Sequence, residues 1–443
     1  MILKIVTGLV AVGTLAASLV WANDVPVHTP GSAEVFRSTV SPARQDVACP
    51  DPLKIPVGSI SSGDADLDSG SDDVKREVFT AGSRVELREG LSSDALAAAT
   101  FERVGGGDIA GLAAASCALP QLDQWLVGGA TTLGASARLV LSNPSDAPVE
   151  VSVTSYGLLG KSEDPMTVVV GPLSQESLLL EGTIAESPAL VLRLESTGTG
   201  ITAHLQDSRL DGFEPAGTDW VGAGDAPANI TVIPAVGPSD PTADASTAVV
   251  TLMAPDGATA TLVLVTEDGI VDWPGTSGLV LDPGVVTEIP VPAVVAGAIE
   301  VRADAPVVAA AVSRVSRDSQ AGREGVLASD LMWVAGQSDP DASRTVIALT
   351  DDPTLSVYSA THQSVTVTNQ DGDVVAKQDI AARTIAVLTV DAASGDELTV
   401  PAGFAWAQVV SDDDGYVSAV GPTDTEVRDL EVAVTVGGYV PVP

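Results

Sequence analysis

The sequence predicts an all-β protein: tandem immunoglobulin-like β-sandwich domains behind an N-terminal hydrophobic helix. Three observations predict it. Apolar and polar residues alternate with period two, as in 138–143 and 149–156, between turns rich in Pro, Gly, Asn and Asp. These stretches recur at roughly 8–12 residues, the spacing of sandwiches and barrels. One arrangement of strands then repeats in units of about 100 residues, the size of an immunoglobulin-like sandwich. Helical periods are scarce, and residues 92–99 are the best candidate for a short helix.

Residues 1–22 open the chain with one Lys and then an uncharged run over 5–22. At 1.5 Å per residue that run reaches about 27 Å, enough to cross a thin hydrocarbon core. Two readings stand, a cleaved signal peptide ending near Ala22 or a membrane anchor with its N-terminus inside. Either places the remainder at the extracytoplasmic face of the cell membrane or secretes it. Residues 23–43 are polar and Pro-containing and read as a stalk. Residues 44–118 read as a small degenerate β unit. They hold the chain's only two cysteines, Cys49 and Cys117. In an oxidising compartment these are expected to pair, closing a long loop.

Three fuller sandwiches are expected at 119–219, 220–332 and 333–443. Each ends in what reads as the same hairpin: 189–194 with 201–205, 298–302 with 307–312, and 405–410 with 416–420. A fainter copy joins 100–104 to 109–116. Trp125, Trp220 and Trp333 follow successive hairpins, with Asp123, Asp219 and Asp330 just upstream. A Trp buries up to ~250 Å², so these three are expected to lock one domain onto the next. The functional alternative is a carbohydrate-stacking platform. Short connections predict a semi-rigid rod.

The chain has 21 Lys and Arg against 59 Asp and Glu, a formal charge of −38. This argues against nucleic-acid binding, which needs clustered cations, and against a basic lipid-binding patch. The acidic run 64–73 resembles a calcium loop, but its spacing lacks the Gly and Glu that an EF-hand requires, so it reads as a solvated loop. His28, His204 and His362 stand apart and outside any motif. No nucleophile elbow, zinc-protease or phosphate-loop motif is present. Ser208-Arg209 and Ser313-Arg314 close the same strand in two units and read as strand ends. No catalytic, metal or cofactor residues are expected, and the protein reads as a non-enzyme. Carboxylate pairs among 59 acids keep an envelope-polymer hydrolase as an alternative.

The segments Cys117-Ala118-Leu119-Pro120, Trp125-Leu126-Val127-Gly128-Gly129, 138–144 with its Asn143-Pro144, 149–153 and Tyr156-Gly157 carry a resemblance. Together they resemble an actinobacterial family of uncharacterised exported or membrane-anchored β-repeat proteins. That family is classed only as a domain of unknown function and is often encoded beside a membrane glycosyltransferase. The resemblance covers most of the chain after residue 44, and since the family has no assigned catalytic residues, none can be carried over. The N-terminal segment, the repeats and the lack of a catalytic set lead to the expectation of a non-catalytic scaffold or binding module of the cell envelope that supports glycan assembly. The expected partner is an envelope protein or glycan, a membrane glycosyltransferase among them. A carbohydrate-binding or adhesive surface protein is the alternative.

Overall fold

The period-two segments form strands. A computed structural model describes residues 31–40, 47–55, 71, 73–80, 91–93, 97–237, 245–293, 296–317, 328–338, 343–424 and 430–438. Apart from one 3-10 turn, Leu180–Gly182, all regular structure in them is β. The apolar run 5–22 and most of the acidic run 64–73 lie outside the described residues. Among the described residues no helix is long and apolar enough to cross a membrane. Contacts divide the chain into residues 1–37 with 434–443, and residues 38–433. Gly31–Val40, placed in the expected stalk, is a strand, and it pairs with Leu430–Gly438.

Residues 38–433 hold four repeat units in chain order, and the second of these, from Asp123 to Gly224, is a sandwich. One sheet runs Gly160–Lys161, Val149–Gly157, Val191–Ser196, Asp123–Val127, Ala223–Gly224, with Met166–Val170 also on Val149–Gly157. The facing sheet runs Ser174–Leu179, Ala135–Asn143, Thr202–Asp211, Glu214–Val221. Alternate residues such as Leu139, Leu141, Val151, Val153 and Leu192 meet in the core between them. The last unit follows the same plan, with Phe404–Ser411 and Val417–Val420 ending its second sheet. In the third unit a single 21-residue strand, Gly297–Arg317, passes through both layers. Its first part pairs with Ala228–Val236 and Ala258–Thr266, its second with Ala245–Met253 and Ala328–Ala335. The first unit holds one three-stranded sheet, Val74–Thr80, Ala98–Val104, Gly111–Ser116.

This pairing corrects the repeated hairpin. Val191–Ser196 and Thr202–Asp211 do not pair with each other; the turn between them carries the chain from one sheet to the other. In the third unit the same step is made without a break, by Gly297–Arg317. Only the first and last copies are hairpins, Ala98–Val104 with Gly111–Ser116 and Phe404–Ser411 with Val417–Val420. Hairpins and sheet-switching arches share one sequence pattern, because both are two apolar strands around a turn. The expected helix over 92–99 is also corrected. Ala98–Val104 is a strand paired on both sides, so its Ala-rich sequence yields to tertiary pairing.

The four units do not form a rod. The last strand of one sheet in each unit, Gly111–Ser116, Glu214–Val221, Ala328–Ala335 and Val417–Val420, lies against its neighbours in turn, and the fourth returns to the first. These four inner strands surround a common centre, as the innermost strands of a four-bladed propeller do. Trp220 packs on Val104, Ala113 and Ala115 of the first unit. Trp333 and Leu331 join the core of the second. Ala407 and Val409 of the last unit join the core of the third, and Ala99 and Leu112 of the first join that of the last. Because Glu214–Val221 and Ala328–Ala335 pair with preceding strands, Trp220 and Trp333 complete their units rather than opening the next.

Polar contacts lock the joints. Trp333 Nε1 donates to Asp207 at 2.9 Å. Glu300, 1% exposed, accepts from Tyr358 and Arg383 of the last unit. Burial alone would raise its carboxyl, but the bonds from Arg302, Tyr358 and Arg383 outweigh that and hold it below the usual range. Arg103 closes the ring, pairing with Asp412 and Asp414 and lying over Tyr416. Cys49 and Cys117 form a disulfide that closes 68 residues of the first unit. In the chain-entropy model such a loop is worth about 4 kcal/mol. Replacing both cysteines by Ala is expected to lower unfolding free energy by about that amount. Urea titration of the two proteins checks it, and an unchanged midpoint would show that the staple contributes nothing.

Candidate functional site

Each inner strand is the edge of its sheet, so half of its backbone N–H groups lack a ladder partner. Four such edges meet at the centre, and two side chains receive them. Asp330 accepts N–H bonds from Leu112 at 2.9 Å, Thr218 at 3.3 Å, Leu331 at 2.9 Å and Val417 at 3.0 Å. These are one donor from each inner strand. Asp219 accepts from Trp333 N–H at 2.8 Å and Ser418 Oγ–H at 2.7 Å, and the N–H groups of Trp220 and Ala114 also face it. Both residues are buried, at 0% and 1% exposure. Burial pushes both carboxyls well above the ordinary range, and the mutual charge raises Asp330 further; the converging N–H groups pull the other way.

The crowding selects small residues. A Cβ on Gly111 would sit 2.8 Å from Asp330 Oδ1, and one on Gly217 would sit 2.6 Å from the backbone nitrogen of Leu331. Gly217 also has φ of +104°, a conformation that favours glycine.

At one mouth of the ring the strand ends part around a cavity of about 350 Å³. It is lined by Ser116, Gly222, Gly336 and Gly421 at the ends of the inner strands, by His204 and by Arg344. His204 sits on Thr202–Asp211 opposite Val140, 2% exposed, with Trp220 edge-on at 6.3 Å. Its Nε2 lies 3.1 Å from the Ser116 carbonyl, while no partner is in reach of Nδ1. Burial lowers its pKa to about 4, against the opposing bond from Ser116, so the ring is neutral at physiological pH. The lining charges cancel, because Arg344 and Asp225 pair at 3.0 and 3.1 Å. The side chains of Gln124 and Gln337 are engaged with backbone groups of Ile201 and Trp406.

Of the residues singled out in the sequence, His204, Trp220 and Trp333 line this cavity. Trp125 does not. It lies in the outer sheet of the second unit, stacked on Tyr156 at 5.9 Å with Arg193 over its face. The three indoles are 5%, 3% and 6% exposed, so none offers an open stacking face. Asp123 is a surface partner of Arg193, whereas Asp219 and Asp330 hold the centre. Sequence reasoning missed that role; the available signal was a charged residue inside an apolar strand, in Asp219-Trp220-Val221 and Asp330-Leu331-Met332. Arg209 is held by Asp207.

The model of a family of unknown function, DUF5719, matches residues 80–401. The chain belongs to this family. The matched span runs from the first unit through most of the last and so includes three of the inner strands. No curated protein matches the sequence. Among solved structures, one described as "Biofilm associated protein - BSP domain" is matched with 10% identity. The match covers 85% of this chain and 68% of that one at a TM-score of 0.15, too slight a likeness to carry an argument.

Two outcomes are expected in this family member. Asp330→Ala strands N–H donors of four strands in a dry centre and should cost at least about 3 kcal/mol, read by urea unfolding. His204 titrates at about 4 when folded, against 6.5 in its unperturbed state. Its contribution is therefore complete above pH 6.5 and is lost as pH falls through that window, a total of about 3 kcal/mol. Asp219 and Asp330 act in the opposite sense, retaining protons in the folded chain that the unfolded chain releases. The difference between wild type and His204→Leu isolates the histidine. Between pH 7 and 4.5 the wild type should lose more stability than the variant, and parallel pH profiles would refute the assignment.

Proposed function

We propose that this family member is a non-catalytic binding scaffold of the cell envelope, exported and held outside the membrane through residues 1–22. Its partner on this reading is an envelope glycan or protein, with a membrane glycosyltransferase as the specific candidate. The observation that carries the non-catalytic part is the use made of the two most perturbed carboxylates. Such groups are the usual material of acid–base catalysis. Here both are enclosed, and their lone pairs are committed to the N–H groups of four strands. The cavity at the mouth is of a size that takes small ligands and is lined by pre-paired polar groups, which suits recognition better than turnover. The uncharged run of residues 5–22 and the disulfide support an address outside the cytoplasm.

A photo-cross-linker placed at Leu119, on the rim of the cavity, tests the reading in the native cell. A second at Val280, 73% exposed and elsewhere, serves as control. The full chain is expected in the membrane fraction, with an envelope glycan or protein captured from position 119 and not from 280. Recovery in the cytoplasm, or identical adducts from both positions, would sink the proposal.

A further inference from the structure

We infer that the groove between the second and third units seats a sugar acid, its carboxylate paired with Arg314 and its hydroxyls with the polar groups around it. This adds a site to the binding reading above, separate from the mouth cavity. Two adjoining cavities form the groove, of about 740 and 230 Å³, and Arg209, Thr247 and Arg314 line both. The larger is of a size that takes small ligands. It opens where the inner strands begin, near Glu214 and Ser329, at the opposite end from the mouth. In the sequence Ser208-Arg209 and Ser313-Arg314 are strand ends of separate units; folding brings both arginines to one cleft.

Arg314 lacks a counterion. Arg103, Arg193, Arg209, Arg302 and Arg344 each hold a carboxylate. Arg209 takes both oxygens of Asp207, two residues back on its own strand. The residue two before Arg314 is Val312, and among the described residues Arg314 has no ion pair and no hydrogen bond. It is exposed, so a ligand can reach it. Partial desolvation lowers its pKa and the charge of Arg209 lowers it further, while Asp207 and Glu288 oppose this from beyond ion-pair distance. A guanidinium stays charged all the same, and a carboxylate matches its fork with two hydrogen bonds. The surroundings select among anions. Asp211 and Glu214 stand exposed at the rim, and Glu288 lines the smaller cavity. An acidic peptide with several carboxylates meets repulsion there. A sugar acid brings one carboxylate and several O–H donors, which those carboxylates and the hydroxyls of Ser246, Ser316 and Ser329 can accept.

The probe is cellobiuronic acid, a disaccharide with one carboxylate, titrated into the full protein in detergent at low salt. Cellobiose is the neutral comparison and triglutamate the acidic peptide. The Nε–H signal of Arg314, identified by its loss in Arg314→Gln, reports the site. The uronate is expected to shift that signal saturably, and the two comparisons are not. Arg314→Gln removes no native contact and should weaken uronate binding at least about tenfold, the loss of a charged hydrogen-bonded pair. Thr247 is exposed and lies directly across the ladder from Arg314. Thr247→Asp therefore supplies the missing counterion from within the sheet and should abolish binding. Thr247→Asn has the same shape without the charge and should bind as the wild type does.

Three results would overturn this assignment: a uronate that leaves the Arg314 signal unmoved, cellobiose or triglutamate moving it equally, or Thr247→Asp and Thr247→Asn binding alike. A uronate that fails while the position 119 adduct persists overturns the groove and leaves the scaffold. A uronate that binds while no envelope adduct forms does the reverse.

Discussion

Everything in residues 38–433 depends on one constraint: four sheet edges end at the same place, and their N–H groups must be satisfied without water. The strands at this centre do not pair with one another, and each has a ladder partner on its outer side alone. A carboxylate solves the problem, having two oxygens and about four acceptor positions. Two carboxylates solve it for all four strands, since Asp219 and Asp330 each touch every one. The hydrogen bonds converging on these carboxyls offset part of the desolvation that burial imposes. The pair acts as a hub, and its geometry requires Gly111 and Gly217 where the strands approach most closely.

A hub of this kind changes what the repeats are for. In a string of sandwiches each unit would be stable or unstable on its own terms. In a ring, each unit contributes a wall to its neighbour's core, as Trp333 does for the second unit and Leu112 for the last. The first unit has only a small core of its own, built on Val47, Cys49, Ala98 and Cys117. It closes the circle through Arg103 with Asp412, through Ser116 with Gly421, and through the bond from Thr423 Oγ1 to the Cys117 carbonyl. The Cys49–Cys117 bond sits at that closure, in the unit with the least sheet to hold it. Removing it would therefore act on the ring as a whole.

The class of fold was legible in the sequence, and so was the pairing of the only two cysteines. Period two, turn chemistry and repeat length are local signals, and strands such as Ala135–Asn143 and Val149–Gly157 follow from them directly. Partner choice is not local. The stretches 191–196 and 202–205 look the same whether they pair with each other or with strands far earlier in the chain, as Leu194 does with Val153 and Leu205 with Leu139. The ring was hidden for the same reason, since the contact of residue 112 with residue 330 leaves no periodic trace. The Trp motif misled in part: Trp125 matches Trp220 and Trp333 in spacing and neighbours, yet lies on an outer sheet with Tyr156. The aspartates beside those tryptophans were the better signal. A charge inside an apolar strand is expensive, and its presence twice pointed to a shared partner that only the tertiary structure supplies.

The hub and the cavity are two consequences of the same crowding. Near the two aspartates the strands approach so closely that Gly, Ala, Ser and Thr are the residues that fit. Toward the mouth the strands diverge with their twist, but the small residues continue as Gly222, Ala335, Gly336 and Gly421. Small side chains on diverging strands leave space, so a cavity follows from building the ring this way. Its electrical character follows too. In a chain of formal charge −38, a mouth lined by chance would be acidic. The only lining carboxylate, Asp225, is instead held by Arg344 and by the Ser338 N–H at 2.8 Å, which removes it from service. Burial removes the charge of His204 by a different route. Neutrality at that position is thus produced by two separate devices, an ion pair and burial.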